Sequence, residues 1–352
     1  MGGGGSLRMQ AIILAGGKGT RLRPLTMHTP KPIVPLANQP FLLYQVELLK
    51  RAGVKDLILS LSYQPQKIED RLGDGGDYGV RISYTVEASP LGTAGAYRHA
   101  KALINDTTII LNGDILTDVD LSRVIGFHRE HNAVATLMLA PVANPANYGL
   151  VQTADDCRVL RFLEKPKPDE ITCNTINGGI YVLEPHVLDY IPDGEPFMFE
   201  YGVFPRLLEK KEAFYGYTWN GYWRDIGTSA SYLQANLDVL AGKIRVLDLP
   251  ERQAGEKFDA KAEIDRLSAV DPSCVIKPGA QIVNSAIGAN CYVEERARIE
   301  DSIVRSGSRI GTGASVVKSI IGMGSHIGRS VSITGAVLGD KSVLTDYTHL
   351  DH

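Results

Sequence analysis

From Ile276 onward a small aliphatic residue returns at nearly fixed intervals. It stands at Ile276, Ile282, Ile287, Val293 and Ile299, then from Val304 on to Leu344, in steps that are mostly six with fives between. Glycines accompany it at Gly279, Gly288, Gly311, Gly322, Gly328 and Gly339. An antiparallel domain would alternate with period two instead. The hexapeptide period is the signature of a left-handed parallel β-helix, in which each short strand turns a corner and stacks one aliphatic residue into a central column. The spacing predicts such a solenoid over residues 272–352.

Upstream the pattern is α/β. Apolar Gln10-Ala11-Ile12-Ile13-Leu14 reads as a buried strand, Phe41 to Ala52 as an amphipathic helix closed by Gly53, and Leu57 to Leu61 as a second strand. Helix, strand, helix and strand follow near Gln66 to Leu72, Arg81 to Val86, Ala94 to Leu103 and Thr108 to Leu111. Further strands are expected at Val134 to Val142, Arg158 to Leu163 and Gly179 to Leu183, and a helix from Ala230 to Ala241 before Gly242. Alternation of this kind implies a Rossmann-like, mostly parallel sheet covered on both faces, with ligands beyond the carboxyl ends of its strands. We therefore expect an α/β domain over 9–242, a mixed connector over 243–271, and the β-helix. Residues 1–8, Met-Gly-Gly-Gly-Gly-Ser-Leu-Arg, read as an expression remnant, with Met9 as the native start.

Composition excludes several classes. The chain has 352 residues and a formal net charge of −3, so it carries no electrostatic footprint for nucleic acid. No apolar run reaches the length of a membrane span. Cys157, Cys173, Cys274 and Cys291 are dispersed, which suits reduced thiols and a cytoplasmic location.

Chemistry concentrates where the first strand ends. Leu14 to Pro32 is glycine-rich and carries Lys18, Arg21, Arg23 and Lys31. Glycines let backbone N–H groups approach phosphate oxygens, and the fixed cations neutralise a polyphosphate. The stretch is neither a Walker A loop nor the dinucleotide fingerprint, because Leu22 stands where the third glycine of the latter belongs. Asp114, in Leu111-Asn112-Gly113-Asp114, ends a strand and suits either Mg²⁺ or a turn. Asp225, in Trp223-Arg224-Asp225-Ile226-Gly227, is open to the same two readings. Glu164-Lys165-Pro166 offers a carboxylate for sugar hydroxyls and a cation for a phosphate, or plain surface chemistry. Asn177-Gly178-Gly179 permits close approach of a ligand, or a β-bulge. Glu87 to Gly95 is a loop entering a helix, where Glu87 and the backbone could read a base edge.

Taken in order, these blocks resemble the sugar-phosphate nucleotidyltransferases, or nucleotide-sugar pyrophosphorylases. Five match: Gly16 to Lys31, Pro90 to Gly95, Gly113-Asp114, Glu164-Lys165-Pro166 with Asn177 to Tyr181, and Trp223 to Gly227. The resemblance runs from Met9 through the β-helix and implies a GT-A-like catalytic fold. Within the family the pattern is most similar to the mannose-1-phosphate guanylyltransferases. One departure is Asn177-Gly178-Gly179, where many of these have Asn-Ala-Gly.

The resemblance implies attack of a sugar-1-phosphate oxygen on the α-phosphorus of a nucleoside triphosphate, GTP favoured, with Mg²⁺ as cofactor. It assigns Arg21 and Lys31 to the phosphates of the triphosphate, and Asp114 and Asp225 to the metal. Leu14, Gly16, Gly17, Gly19, Thr20, Glu87, Gly92 and Thr93 would hold the nucleotide. Gly149, Glu164, Lys165, Asn177 and Trp223 would hold the sugar phosphate. Glucose-1-phosphate thymidylyl- or uridylyltransferases and a non-catalytic regulatory subunit that binds a nucleotide sugar are the alternatives. An acyltransferase role for the solenoid would need a histidine, and His326 is the one inside the repeats before the terminal segment. A homo-oligomer through the β-helix is expected, since stacked coils offer flat sides and exposed ends.

Overall fold

A computed structural model describes residues 9–247 and 257–351. The expected remnant at 1–8 lies outside the described residues, as do positions 248–256 of the expected connector. Within the described chain the first elements are β1 (Gln10–Leu14), α1 (Phe41–Arg51), β2 (Asp56–Leu61), α2 (Pro65–Leu72), β3 (Arg81–Val86), α3 (Gly92–His99) and β4 (Thr108–Asn112). Then follow α4 (Leu121–Glu130), β5 (Ala135–Pro141), β6 (Gly149–Thr153), β7 (Val159–Glu164), β8 (Thr175–Leu183), α5 (Phe204–Glu209), β9 (Phe214–Thr218) and α6 (Ser229–Leu240).

The nine strands form one sheet in the order β7-β6-β8-β4-β1-β2-β3, with β5 beside β8 and β9 beside β5. Strands β4, β1, β2 and β3 are mutually parallel. In β1, Ala11, Ile12 and Ile13 are buried in succession, as a strand covered on both faces requires. Beyond β4 the sheet becomes mixed, because β8 runs antiparallel to β4, β5 and β6. Its core is aromatic: Phe199 and Phe214 each stack on Phe204 at 5.6 Å, and Tyr181 meets Phe204 edge-on. Each such buried ring contributes about 2–3 kcal/mol.

Several elements differ from the sequence expectation. Helix α3 begins at Gly92 and stops at His99, with a 3-10 turn over Lys101–Leu103. Strand β8 starts at Thr175, before its two glycines, because a bulge between Asn177 and Tyr181 lets it continue through them. The elements α4, β6, α5 and β9 have no counterpart in the sequence reading.

The solenoid consists of three stacked sheets of short parallel strands, the arrangement of a left-handed β-helix. Its first strand is Glu263–Ile264, inside the stretch read as connector. The six-and-five rhythm closes one coil every 17 residues, and Ile282, Ile299, Val316 and Ile333 stack in register. Buried serines run up the coils beside this column. The Ser302 amide donates to Ser285 Oγ and the Ser319 amide to Ser302 Oγ, both at 3.0 Å, so the polar column is satisfied.

The chain gathers into two compact units: the chain up to Gly17 with Tyr44–Trp223, and Lys18–Leu43 with Arg224 onward. The glycine-rich loop after Gly17 therefore belongs with the solenoid. Among the described residues no helix is long and apolar enough to cross a membrane.

Candidate active site

In the sheet unit the chain winds from β1 outward to β2 and β3, then returns to β4 on the other side of β1. The topological switch point lies between β1 and β4, where open α/β sheets bind ligands. Both strands end there in expected site residues. The Gly113 amide donates to the Leu14 carbonyl at 3.0 Å, and a Cβ on Gly113 would lie 2.6 Å from that oxygen. Only glycine lets the Asp114 turn settle on the end of β1. Gln45, buried on α1, clamps the turn by donating to the carbonyls of Asn112 at 2.8 Å and Ile115 at 3.0 Å. Asp114 is thus presented, half-buried, from a turn that rests on Leu14 and Ala15. Ser62 Oγ holds the Gly16 carbonyl at 3.0 Å, and Gly17 faces open space. Glu87 is buried with both carboxylate oxygens engaged, accepting from Ser60 Oγ at 2.9 Å and from the Leu91 amide at 2.8 Å.

Of the residues expected at the sugar phosphate, Gly149, Glu164 and Asn177 lie on β6, β7 and β8. Gly149 pairs with Glu164 across the sheet, and a Cβ on Gly149 would meet the Glu164 carboxylate at 2.8 Å. Asn177 Nδ2 donates to the Tyr181 hydroxyl at 3.0 Å, while its Oδ1 accepts from the Gly179 amide at 3.0 Å. Both halves of that amide therefore lock the bulge. Trp223 Nε1 donates to the Gly178 carbonyl at 2.9 Å, and its ring meets Tyr148 edge-on. Tyr148 also accepts from the Lys165 amide at 3.1 Å. Lys165 adopts φ 50° and is exposed. Gly178 has a local cause: a Cβ there would lie 2.6 Å from Met138 Cε and 2.8 Å from the Met138 carbonyl. An alanine in the Asn-Ala-Gly pattern would need the backbone at 138 as well as its side chain to shift.

One candidate residue lies outside the sequence reading. Glu200 sits in a π-helical turn over Phe199–Val203, a geometry enriched at functional sites. Its Oε2 accepts from Thr93 Oγ1 at 3.1 Å, and Thr93 Oγ1 accepts from the Phe199 amide. Gly92 makes room for this segment, since a Cβ there would lie 2.6 Å from the Phe197 carbonyl. Burial raises the Glu200 pKa above its ordinary value, and the Asp114 charge raises it further. Glu164 is raised too, by burial first and then by Glu200. Asp114, Glu200 and Glu164 thus place like charges within electrostatic reach of one another in this unit. The signal the sequence offers is the lone acid among aromatics in Phe197-Met198-Phe199-Glu200-Tyr201.

The second unit carries Gly19, Thr20, Arg21, Lys31 and Asp225. Gly19 adopts φ 59° and packs on Lys31, with its carbonyl held by Thr26 Oγ1 at 2.7 Å. A 3-10 turn over Thr20–Leu22 presents Arg21, and another over Lys31–Ile33 presents Lys31. Arg21 is exposed, and its Nη2 lies 3.9 Å from Asp225 Oδ2. Gly227 makes this pairing possible, since a Cβ there would lie 2.7 Å from Arg21 Nη2 and 2.9 Å from Asp225 Oδ1. Lys31 is buried, at 8% exposure. His326 lies exposed on a solenoid strand.

Residues 10–242 match the Nucleotidyl transferase family, and residues 262–352 match the GMPPB C-terminal domain. A mannose-1-phosphate guanylyltransferase of Mycobacterium tuberculosis is 41% identical over 67% of this chain and 66% of its own length. A mannose-1-phosphate guanyltransferase of Yarrowia lipolytica is 41% identical over 64% of this chain and 62% of its own. The chain thus spans just under two thirds of the length of these two relatives. A UTP--glucose-1-phosphate uridylyltransferase of Synechocystis is 33% identical over 79% of this chain and 82% of its own length. Among solved structures, HddC from Yersinia pseudotuberculosis has a TM-score of 0.57 at 29% identity, covering 65% of this chain and 99% of that one. A Bacillus anthracis chain solved in complex with a sucrose has a TM-score of 0.61 at 26% identity, covering 67% and 96%. With its sheet, its solenoid and its five motif blocks in place, this chain belongs to the nucleotidyl transferase family.

Proposed function

We propose that the protein transfers a nucleotidyl group from a nucleoside triphosphate to a sugar-1-phosphate, giving a nucleotide sugar and pyrophosphate. GTP and mannose-1-phosphate are the favoured pair. The supporting observation is the switch point, where the end of β1 and the Asp114 turn are held together by a contact that admits no side chain on Gly113. The phosphate nucleophile is already anionic, so the reaction needs no general base. Catalysis then consists of placement and charge neutralisation. Arg21 neutralises the departing pyrophosphate and Lys31 the charge growing at the α-phosphate. Lys165 holds the sugar phosphate. Glu164, Asn177, Gly149 and Trp223 shape the sugar pocket, and Leu14, Gly16, Gly17, Gly19, Thr20, Gly92 and Thr93 cradle the nucleotide. Glu87 serves the base by shaping the loop up to Leu91.

Asp114 and Asp225 are the proposed holders of Mg²⁺. Hard carboxylate oxygens suit that ion, which takes one or two carboxylates and draws its other ligands from water and phosphate. The like charge that Asp114 places on Glu200 supports the fit, since a cation relieves such repulsion. When bound, Mg²⁺ supplies neutralisation of phosphate oxygens. We also propose a cytoplasmic enzyme, supported by its four free cysteines. Val343 and Tyr347, exposed on the last coils, support a homo-oligomer through the β-helix, checked by light scattering on the full chain.

The test is a matrix of GTP, UTP, dTTP and ATP against mannose- and glucose-1-phosphate, read by released pyrophosphate. GTP with mannose-1-phosphate is expected to give the highest kcat/KM. A win for UTP or dTTP with glucose-1-phosphate overturns the substrate pair. No pyrophosphate from any combination overturns the reaction.

A further inference from the structure

Arg305 breaks the repeat of its own solenoid. One coil before it stands Gly288, and the next two coils carry Gly322 and Gly339. Apart from Asp271 in the first coil the other members of this column are glycine, yet Arg305 is the largest fully buried side chain among the described residues. Burying a guanidinium is costly unless it is paired and hydrogen-bonded. Its partners are Asp340, itself buried, and the loop that carries the proposed phosphate-binding cations. Nη1 donates to Asp340 Oδ1 at 3.2 Å and to the Leu25 carbonyl at 3.1 Å, and Nη2 donates to Thr29 Oγ1 at 2.7 Å. The Met323 amide steadies Asp340 Oδ1 from a third coil at 2.9 Å. Gly339 completes the seat, since a Cβ there would lie 3.2 Å from Pro24 Cβ. Arg305 Nε and Asp340 Oδ2 have no hydrogen-bond partner among the described residues, so the pair does not recover its full desolvation cost internally.

We propose that Arg305 and Asp340 are positioning residues, through which the β-helix sets the conformation of the phosphate-binding loop. The held segment, Leu25 to Thr29, lies between Arg21 and Lys31. It joins Arg21's turn through the Leu25 amide, which donates to the Leu22 carbonyl at 3.0 Å. On the other side Pro30 leads directly into the turn of Lys31, whose Ile33 amide donates back to the Pro30 carbonyl at 3.0 Å. Fixing Leu25 and Thr29 therefore fixes both cations at the backbone, and the solenoid becomes part of the triphosphate site. This role rests on the function proposed above for the loop.

The double variant Arg305→Gly with Asp340→Ala tests it. Gly is the residue of the neighbouring coils at 305, and Ala289 occupies the position of Asp340 three coils earlier. The coil keeps residues its own repeat accepts, and no orphan carboxylate remains. Amide hydrogen exchange should quicken about tenfold in peptides covering 18–31 and stay unchanged in 281–300, because only local opening of the loop is altered. In pyrophosphate-release assays, KM for GTP should rise about tenfold while KM for mannose-1-phosphate stays within about twofold, as expected when only the triphosphate contacts loosen. A merely structural role would speed exchange in both peptides and lower kcat with neither KM changed. Unchanged exchange over 18–31, or equal changes in both KM values, overturns the proposal. Should the double variant fail to fold, Arg305→Lys, which keeps the charge but loses the fork, is expected to speed loop exchange, and wild-type exchange there overturns it. If the wild type releases no pyrophosphate, the reaction assignment falls while the exchange result still decides the clamp.

Discussion

The solenoid and the sheet rim solve opposite problems with the same chain. In the solenoid each buried residue meets its own counterpart 17 positions away, as in the step from Ser285 to Ser302. At the rim the partners are far apart and follow no period: Thr93 with Glu200 across 107 positions, Gln45 with Asn112 across 67, and Gly178 with Trp223 across 45. The repeat makes shape through many equivalent contacts. The rim makes chemistry through a few contacts that occur once. A change at the rim should therefore remove activity and spare stability, and a change in the coils should do the reverse. Arg305 is the exception that joins the two, because it leaves the repeat to hold the loop.

The largest effect that can break this contrast is at Asp114. Asp114→Ala should lower turnover on the order of 10³-fold or more, the loss expected when a group that organises transition-state charge is removed. The melting temperature should stay within about 2 °C of wild type, since the side chain is half-buried and its loss relieves repulsion with Glu200. Pyrophosphate release and a thermal melt on one preparation decide it. A fall of about 8 °C or more would show that the turn is structural and that rim and scaffold are not separable.

The opposite arm is Gly311→Ala. A Cβ at Gly311 would lie 2.6 Å from the Gly328 carbonyl carbon and 2.7 Å from its oxygen, in the coil above. Backbone cannot swing away as a side-chain tip can, so about 2–3 kcal/mol of stability should be lost. Urea unfolding should show a lower midpoint, while kcat per folded molecule at low temperature stays within about twofold. Loss of activity without loss of stability would reverse the contrast.

The same distinction explains what could be read in advance. The solenoid was legible because its period repeats over many coils and each repeat says the same thing. Strands β1, β2 and β4 and the end of α1 at Gly53 were legible because burial on both faces and a glycine cap are local signals. The Asp114 turn was legible for the same reason. Strand β6 was not, since Gly149-Leu150-Val151-Gln152-Thr153 is short and starts on a glycine that exists to clear Glu164. Helix α4 did carry a local signal that went unused: the Asp120 side chain accepts from the Ser122 amide as an N-cap. Gln45 and Glu200 had none of this strength, because what makes them functional is a neighbour far along the chain. The end of the solenoid's reach was hidden likewise, since nothing near Arg305 in sequence announces Leu25 and Thr29, about 280 positions away.

The smallest effect sharpens the contrast by asking what the rim costs. Burial, and then the Asp114 charge, hold the Glu200 pKa above the ordinary glutamate value, so the folded state keeps its proton to higher pH than the unfolded chain does. The stability this group contributes is fully present below the unfolded pKa and is lost as pH rises through the folded one. At pH 7.5 the ionised carboxylate therefore weighs against the fold. Glu200→Gln removes that penalty and can still accept from Thr93 through its amide oxygen. Its melting temperature should exceed that of the wild type at pH 7.5. The gain should shrink as pH falls toward the unfolded glutamate value. Melts of both proteins across that range measure it. A variant no more stable than wild type at pH 7.5, or one whose gain grows on acidification, would mean that Glu200 stores no strain and that the rim, like the coils, is built for stability alone.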